Sequence, residues 1–426
     1  MALALTILFI VLTFIKIPIA FSIGISGFIY LLISGSPLVI VPQQMTRVLD
    51  SFPLLSVPLF LLAGSLMNTG GITVRIFNFA NSIVGFIKGG LAYVNVIASI
   101  IFSGMTGTAI SDAAGLGVIE IKAMTDAGYE PDYSAAITSA SATIGPIIPP
   151  SVPAVIFGVY AGVSIGKLFI AGIIPGLLLG LTLMVTIYFT VDKKNKNVKI
   201  KTEFSFKKIV KNFIIAFPAL LTPVIIIGGI MGGIFSPTEA AIVAVIYAFL
   251  VSFFIYRELK LSDILPLFIE CIVVTGIVCM IIASATLFRW MLATQHVPMA
   301  LSNFLTNITT NKWVLLFIIN IILLGIGMIL DVTTSLILFV PIFMPLVTKL
   351  GIDPIHFGVI MIFNLMIGLS TPPMGSVIYI SAEIAKQPVG KVFKAMLPFF
   401  IALLVALFLI TYIPQLVTWL PDMFMK

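Results

Sequence analysis

The stretch that decides the fold reads F-S-G-M-T-G-T-A-I-S-D (102–112), then A-G-Y-E-P (127–131), then I-G-P-I-I-P-P (144–150), because a version of it returns later. The second version lies between residues 327 and 373, and its glycines and prolines repeat at one offset of 223 residues (327 − 104 = 223). The matched pairs are Gly104 and Gly327, Gly128 and Gly351, Pro131 and Pro354, Gly145 and Gly368, and Pro149-Pro150 and Pro372-Pro373. So many coincident positions without a gap predict an internal duplication.

The composition around this repeat is that of a membrane protein. Of the 426 residues, 60% are hydrophobic and 9% are charged, and the mean hydropathy is +1.23. Soluble domains carry about 25% charged residues, so this surface is too poor in charge to face water. Long apolar runs recur along the whole chain, which predicts an all-α polytopic membrane protein.

Charge and cysteine content exclude other classes. The net charge of +7 does not indicate a nucleic-acid partner, because excess lysine in a membrane protein usually marks its cytoplasmic loops. The two cysteines, Cys271 and Cys279, share one apolar segment and predict neither a disulfide framework nor a metal site. The first segment begins M-A-L-A-L without a basic n-region or a cleavage site, so we expect a retained span rather than a signal peptide.

A hydrophilic segment divides the chain into its two copies. Residues 192–212 contain eight lysines and separate a first repeat, 1–191, from a second repeat, 213–426. Short loops rich in Lys and Arg stay on the cytoplasmic side of a membrane, so we expect a cytoplasmic linker. With five full crossings per repeat, the two repeats are inverted relative to each other and both chain ends lie outside. This topology places most of the 23 Lys and Arg residues inside, as the positive-inside rule requires.

Each repeat contains apolar spans and two unusual elements. Short apolar helices that meet at a small polar tip are typical of re-entrant hairpins, because a full crossing needs about 20 residues. Prolines within an apolar run break a helix, since they remove backbone donors. We therefore predict a surface helix at 72–88, hairpins at 91–126 and 313–349, and broken helices at 133–163 and 356–385.

A helix that is broken inside the membrane exposes main-chain groups that can bind ions. Unwound backbone is tolerated at this depth only where it is buried in protein or lines a cavity. Its carbonyl groups can bind a cation, and the positive end of the following half-helix can bind a carboxylate. Inverted repeats with broken helices are typical of secondary transporters, so we predict two cation sites and a site for a small acid.

The predicted sites lie at the hairpin tips, 103–107 and 325–328, and at the helix breaks, 145–150 and 368–373. Hydroxyl and carbonyl oxygens suit a hard monovalent cation such as Na⁺, and no His/Cys cluster offers ligands for a transition metal. The first Na⁺ site would consist of Ser103, Gly104, Thr106, Gly145, Pro146 and Ile147. The second would consist of Gly327, Asp331, Thr333, Gly368, Ser370 and Thr371. The residues predicted to contact the acid are Thr108, Asp112, Pro149, Pro150, Pro372 and Pro373.

Structural roles remain open for several of these residues. Asp331 and Asp112 can act in transport, since a carboxylate at membrane depth is usually functional, or they can cap helices. The hydroxyls of Ser103 and Thr106 can instead donate to carbonyls of their own helix. Each Gly-x-x-x-Pro-Pro segment can also be a plain proline kink.

Together these motifs resemble the large membrane subunit of tripartite ATP-independent periplasmic (TRAP) transporters, over essentially the whole chain. The segments that carry the resemblance are S-F-P-L-L-S-V-P-L-F-L-L-A-G (51–64), F-S-G-M-T-G-T-A-I-S-D-A-A-G-L-G (102–117), A-T-I-G-P-I-I-P-P-S (142–151), F-S-P-T-E-A (235–240) and G-L-S-T-P-P-M-G (368–375). The resemblance implies an inverted-repeat, elevator-type transporter, in which a mobile domain with both hairpins moves against a fixed scaffold.

The resemblance also implies Na⁺-driven symport of a small organic acid, such as sialic acid or a C4-dicarboxylate, across a bacterial inner membrane, with both termini in the periplasm. It implies two partners, a small four-helix membrane subunit and a soluble periplasmic binding protein. The alternative is a stand-alone Na⁺-coupled di- or tricarboxylate symporter of related fold, which needs no binding protein. An intramembrane aspartyl protease using Asp112 and Asp331 is disfavoured, because neither lies in a Gly-x-Gly-Asp context, so we expect no enzymatic activity.

Overall fold

The apolar runs of the sequence form α-helices, and glycines and prolines determine where many of them begin and end. The structure is a computed structural model that describes residues 1–49, 51–194 and 204–425. The middle of the predicted cytoplasmic linker, 195–203, lies outside the described residues. The part of the chain that is described contains helices and connecting turns but no strand.

The first repeat is built mainly of short helices. They are α1 (Ala2–Phe14), α2 (Ile19–Ile33), α3 (Ile40–Leu49), α4 (Ser56–Thr69), α5 (Ile72–Val84), α6 (Gly90–Thr106), α7 (Ala109–Ser111), α8 (Gly117–Asp126), α9 (Pro131–Ser141), α10 (Val152–Ala161), α11 (Ile165–Ala171) and α12 (Ile173–Lys194). A π-helical turn, Asp112–Leu116, joins α7 to α8, and 3₁₀ turns at Phe52–Leu55 and Ala142–Ile144 precede α4 and follow α9.

The second repeat contains the longest helix of the described chain, α15, with 34 residues. Its helices are α13 (Phe206–Met231), α14 (Pro237–Leu250), α15 (Leu261–Thr294), α16 (Val297–Ile308), α17 (Lys312–Gly327), α18 (Val332–Lys349), α19 (Pro354–Leu369), α20 (Ser376–Ile384), α21 (Val389–Tyr412) and α22 (Gln415–Phe424). A π-helical turn, Val251–Ile255, extends α14. The order of hairpin, broken helix and final long helix is therefore the same in both repeats.

Several of these segments can cross a bilayer. Among the described residues, seven are long and apolar enough: Phe52–Thr69, Ile165–Val191, Phe206–Met231, Pro237–Ile255, Leu261–Thr294, Val332–Lys349 and Val389–Tyr412. Shorter apolar helices, including those of the hairpins and broken helices, fill the space between them. The prediction of an all-α polytopic membrane protein is confirmed.

Both predicted broken helices are interrupted at their paired prolines. The first is helical until the turn at Ala142–Ile144 and resumes with α10, so the interruption covers 145–151. The second is interrupted at 370–375, between α19 and α20. The prediction placed this second break at 368–373, but Gly368 and Leu369 are still helical, because the packed centre of the molecule holds them in the helix.

The broken helices begin two residues earlier than predicted. Pro131 and Pro354 are the first residues of α9 and α19, whereas the prediction began these helices at 133 and 356. Proline is favourable at the first helical position, because its fixed φ suits the helix and the missing N–H has no partner there in any case. The matched prolines therefore start the two helices instead of preceding them.

The hairpin tips also lie further along the chain than predicted. α6 continues through most of the predicted tip 103–107 and ends at Thr106, where Gly107 turns the chain with a φ of +65°. In the second hairpin α17 extends through Gly327, so the turn lies at 328–331 and not at 325–328. Glycine lowers helix propensity by only about 1 kcal/mol, which tertiary packing overrides.

The predicted surface helix 72–88 is shorter than expected. α5 ends at Val84, where Gly85 caps the helix and the turn to α6 begins. It buries one face, formed by Ile72, Thr73, Ile76, Phe77, Ala80 and Ser82, against α6 and α13. This one-sided burial agrees with the amphipathic pattern of its sequence.

Helices of the two repeats interleave around the broken helices. α15 packs along α2, α3 and α4, and α14 packs along α4, so the outer helices of both halves pair with each other. At the centre, α9 packs against α21, and α10 packs against α18 and α19. Residues 132–141 and 356–369 are buried without exception, which places α9 and α19 in the interior.

Candidate functional site

In both repeats the tip of the hairpin is hydrogen-bonded to the chain near the end of the helix break, at the first residue of α10 in the first repeat and within the break in the second. The Val152 N–H donates to the Gly107 carbonyl oxygen, with 3.3 Å between nitrogen and oxygen. In the second repeat the Met374 N–H donates to the Met328 carbonyl oxygen at 3.1 Å. The peptide bonds Pro149–Pro150 and Pro372–Pro373, which come just before these donors, are both cis.

The tips approach the breaks so closely that only glycine fits. A Cβ atom on Gly107 would lie 2.5 Å from the Pro150 carbonyl oxygen. A Cβ atom on Gly368 would lie 2.4 Å from the Gly327 carbonyl carbon. Backbone therefore meets backbone at both sites, which only glycine permits. Gly368 is one of the duplicated glycines, whereas the position that matches Gly107 is Leu330.

The hydroxyl groups of the first hairpin differ in their hydrogen bonding. The Ser103 hydroxyl donates to the Ile100 carbonyl oxygen at 2.7 Å, so it takes the helix back-bonding role left open by the sequence. The Thr106 hydroxyl is buried and has no hydrogen-bond partner. Thr108 caps α7 and accepts from the Ser111 N–H at 3.2 Å. Thr106 is therefore the tip hydroxyl that remains available to a ligand.

The first break is held by a serine that the predicted site did not include. Ser151 caps α10, accepting from the Ala154 N–H at 3.1 Å, and its hydroxyl donates to the Pro146 carbonyl oxygen. Within the break, the Ile147 N–H donates to the Ile144 carbonyl oxygen at 3.0 Å. These bonds fix the unwound backbone in one shape.

The second tip contains Asp331, which caps α18. Its carboxylate accepts from the Thr334 N–H at 3.0 Å and from the Thr334 hydroxyl. The helix-capping role that the sequence left open is therefore present, and the carboxylate also faces a cavity. The second break contacts helix α9 of the first repeat through the Ser370 hydroxyl, which donates to the Ser139 carbonyl oxygen at 3.1 Å. The Ser139 hydroxyl is buried without a partner.

A cavity of about 280 Å³ lies between these tips and the outer helices. Four predicted site residues from the two repeats line it: Thr108, Pro146, Asp331 and Thr333. Its opposite wall is formed by α4 and α15, which contribute Ser65 and Glu270 among mainly apolar residues. A cavity of this size that joins polar groups from both repeats is the expected place for a small ligand.

The other predicted residues do not line this cavity. Buried among them are Ser103, Gly104, Thr106, Asp112, Gly145, Ile147, Pro149, Pro150, Gly327, Gly368, Ser370 and Thr371. Pro372 is half-buried and Pro373 is exposed. Asp112 faces Ser99 from the π-helical turn, and one of its carboxylate oxygens is buried without a hydrogen-bond partner. The roles of these residues in binding Na⁺ or the acid therefore stay predictions.

Glu270 is the cavity residue that sequence reasoning missed. It is the only charged residue between Asp263 and Arg289, within a long apolar run, which is the signal that could have identified it. Its carboxylate makes no hydrogen bond or ion pair with the described residues. Ser65 and Ser111 also line the cavity and were missed. Ser65 is an isolated serine in an apolar helix and carries no distinctive pattern, whereas Ser111 lies in the motif 102–112, which could have indicated it.

The cavity offers oxygen atoms and no positive charge. None of its described lining residues is Lys, Arg or His, and the same part of the chain contains no group of three His, Cys, Asp or Glu side chains suited to a metal ion. An anion that enters it must therefore be balanced by helix dipoles or by a cation bound with it.

Comparison with known proteins identifies related chains. A family model described as "Tripartite ATP-independent periplasmic transporter, DctM component" matches residues 6–416. The sialic acid TRAP transporter large permease protein SiaM of Vibrio cholerae is 43% identical over 415 residues, which cover 97% of this chain and 97% of that protein. The C4-dicarboxylate TRAP transporter large permease protein DctM of Pseudomonas aeruginosa is 38% identical over 402 residues, with 94% of each chain covered.

A solved structure shares the fold. The crystal structure of the Alcanivorax borkumensis YdaH transporter superimposes with a TM-score of 0.62, covering 87% of this chain and 86% of that one. The two sequences are 15% identical, so the likeness concerns architecture alone.

Proposed function

The chain belongs to the family of tripartite ATP-independent periplasmic transporters, DctM component, and on this basis we propose that it imports a small organic acid in symport with Na⁺. It is a multi-pass protein of the inner membrane and a transporter, not an enzyme. As in this family, it works with a small membrane subunit and a periplasmic substrate-binding protein. We take the small subunit to have four helices and both termini of this chain to be periplasmic.

The observation that carries the proposal is the doubled contact between hairpin tip and helix break, together with a cavity that residues of both repeats line. Each contact holds unwound backbone against a tip, with hydroxyl and carbonyl oxygens close by. The buried Thr106 hydroxyl without a partner supports a cation nearby, because an unsatisfied buried polar group costs about 1–3 kcal/mol. Na⁺ bound at both tips would supply the positive charge that the cavity walls lack.

The packing supports an elevator-like movement. The hairpins and broken helices pack mainly among themselves and against α12 and α21, whereas α2, α4, α14 and α15 form a separate set of paired helices. The cavity lies on the boundary between these two groups. We propose that the central group carries the acid and Na⁺ past the outer helices, which remain fixed.

The decisive experiment is uptake into proteoliposomes that contain the chain and its small subunit. A panel of organic acids is tested with and without the binding protein, and with a Na⁺ gradient imposed or removed. Na⁺-dependent uptake that requires the binding protein is the expected result. Uptake without the binding protein would favour the stand-alone symporter instead. Uptake that does not change when the Na⁺ gradient is removed would contradict Na⁺ coupling.

Variants at the tips test the site assignment. Ser103→Ala and Asp331→Ala are expected to lower Na⁺-dependent uptake without lowering the amount of protein in the membrane. Ser34→Ala is a matched control for Ser103→Ala, because its hydroxyl also donates to a helix carbonyl three residues earlier but lies exposed, far along the chain from the tips. Unchanged Na⁺ dependence in both tip variants would overturn the assigned Na⁺ sites.

A further inference from the structure

We propose that Glu270 determines the substrate class, favouring a monocarboxylic acid with several hydroxyl groups over a dicarboxylic acid. The inference rests on the proposed function, because it assigns a specificity role within the same cavity. It concerns a residue on the outer helix α15, opposite the hairpin tips. The supporting observation is that the two carboxylates of the cavity, Asp331 and Glu270, have different surroundings.

Glu270 is the free carboxylate of the cavity. Asp331 also lines the cavity, but its carboxylate already accepts two hydrogen bonds from Thr334. The Glu270 carboxylate accepts none from the described residues and is exposed at the cavity wall. An ionised carboxylate can only accept hydrogen bonds, so Glu270 needs a donor from the ligand or from water.

The position of Glu270 explains what the ligand must offer. The tips and breaks with their helix dipoles lie on one side of the cavity, where a single carboxylate and its Na⁺ ions can bind. Glu270 extends from the other side, so it faces the far end of a bound acid. Hydroxyl groups at that end donate charge-assisted hydrogen bonds to it, and these are about twice as strong as neutral ones.

A dicarboxylic acid meets the opposite situation. Its second carboxylate would face Glu270 with no Lys, Arg or His side chain on the cavity wall to separate the two charges. Like charges in a site of low polarity repel strongly, and the dicarboxylate provides no hydroxyl donor to compensate. The cavity therefore favours a hydroxylated monocarboxylic acid over a dicarboxylic acid in two ways. It attracts hydroxyl groups, and it repels a second acid group.

The test measures binding to the purified complex of this chain with its small subunit, in NaCl and without the binding protein, so that the selectivity of the binding protein does not contribute. Isothermal titration uses N-acetylneuraminate and D-gluconate as polyhydroxylated monocarboxylates and succinate as the dicarboxylate. The unmodified protein is expected to bind at least one of the first two at least about tenfold more tightly than succinate.

Three variants separate the charge of Glu270 from its shape. Glu270→Gln keeps the shape and removes the charge, so the preference is expected to fall by at least about tenfold, through weaker binding of the hydroxylated acid and tighter binding of succinate. Glu270→Asp keeps the charge and is expected to retain the preference. Glu383→Gln is the control, because Glu383 is exposed on α20 and does not line the cavity.

The outcomes distinguish this inference from the proposed function. Equal or tighter binding of succinate by the unmodified protein overturns the inference, and so does an unchanged preference in Glu270→Gln. The complex must remain monodisperse and keep its melting temperature in each variant. If Glu270→Gln does not fold, Glu270→Asp provides the second measurement. Failure of every acid to bind in the presence of Na⁺ contradicts the proposed function itself.

Discussion

At the scale of single residues, the same side chain combines capping with a place in the cavity. Asp331 is the N-cap of α18 and also lines the cavity beside Thr333. Ser103 is bonded to its own helix, whereas Thr106, three residues later, has a buried hydroxyl without a partner. Residue type alone does not tell a capping or helix-bonded side chain from one that is available to a ligand. The local turn of the chain decides whether a hydrogen-bond partner lies within reach.

The two roles of Asp331 can be separated by substitution. Asn caps helices about as well as Asp but carries no charge, so Asp331→Asn is expected to keep the melting temperature. Its Na⁺ affinity is expected to fall more than about tenfold, because the amide lacks the negative charge that attracts the cation. Asp331→Ala loses the cap as well, which costs about 1 kcal/mol of stability.

Thermal unfolding and Na⁺ titration of the purified protein measure the two effects. If Asp331→Asn bound Na⁺ as tightly as the unmodified protein, Asp331 would be a helix cap only. Asp353→Asn is the control, because Asp353 caps α19 in the same way, accepting from the His356 N–H at 2.8 Å, and does not line the cavity.

At the scale of elements, the hairpin and the broken helix of each repeat form one unit. The pairs are joined by main-chain contacts, Gly107 with Val152 and Met328 with Met374. In the second repeat, α17 also packs along α19, so that Gly327 and Gly368 lie face to face. An added methyl group between two backbones cannot be accommodated by rotation of a side chain, so this contact depends on glycine.

Two glycines near the second tip provide a test of this contact. Gly368→Ala is expected to destabilise the protein by about 1–3 kcal/mol and to lower uptake, because its Cβ would meet the Gly327 backbone. Gly325→Ala is the control on the facing helix, where an added Cβ meets nothing within 4 Å. Its stability is expected to stay the same or to rise slightly, since Ala favours the helix.

Thermal unfolding in detergent and uptake in proteoliposomes are measured for both variants. A melting temperature of Gly368→Ala equal to that of Gly325→Ala would show that the helices separate at no cost. The close approach would then not hold the tip against the break.

At the scale of the whole molecule, the two repeats are not separate domains. α14 and α15 of the second repeat pack on α4 of the first, and α12 and α9 of the first pack on α21 of the second. Within the described ranges, one ion pair crosses between the repeats, from Arg75 to Glu258 at 2.7 Å. The Arg75 guanidinium also lies 3.9 Å from the centre of the Tyr256 ring. Exposed pairs of this kind contribute about 0–1 kcal/mol, so apolar packing joins the halves.

If the two repeats are inverted, as the sequence predicts, the linker and the C-terminus lie on opposite sides of the membrane. After replacement of Cys271 and Cys279 by Ser, single cysteines are introduced as Lys207→Cys, in the described C-terminal part of the linker, and Met423→Cys, on the exposed side of α22. A membrane-impermeant maleimide is expected to label Met423→Cys from outside the cell and Lys207→Cys only in inverted vesicles. Labelling of both cysteines from the same side would contradict the predicted topology.

Much of the architecture could be predicted because it depends on local patterns. Long apolar runs predict helices, the constant offset of Gly and Pro predicts the duplication, and the Pro-Pro pairs predict interruptions in α9–α10 and α19–α20. The exact ends could not be predicted. Pro131 and Pro354 start helices, and Gly327 and Gly368 remain helical, because the packing partner decides whether a weak helix former stays in the helix.

The sequence by itself determined that this chain is a duplicated bundle of membrane helices, because charge depletion and apolar periodicity are properties of the residues alone. It also identified Thr108 as a contact of the acid, Pro146 as part of the first Na⁺ site, and Asp331 and Thr333 as part of the second. The structure places all four around one cavity. Only the tertiary structure brought Glu270 opposite them, and only it separated the bonded Ser103 from the unpartnered Thr106. A cavity wall is formed by helices that are distant in sequence, so the arrangement of those helices in space decides which polar group faces the ligand.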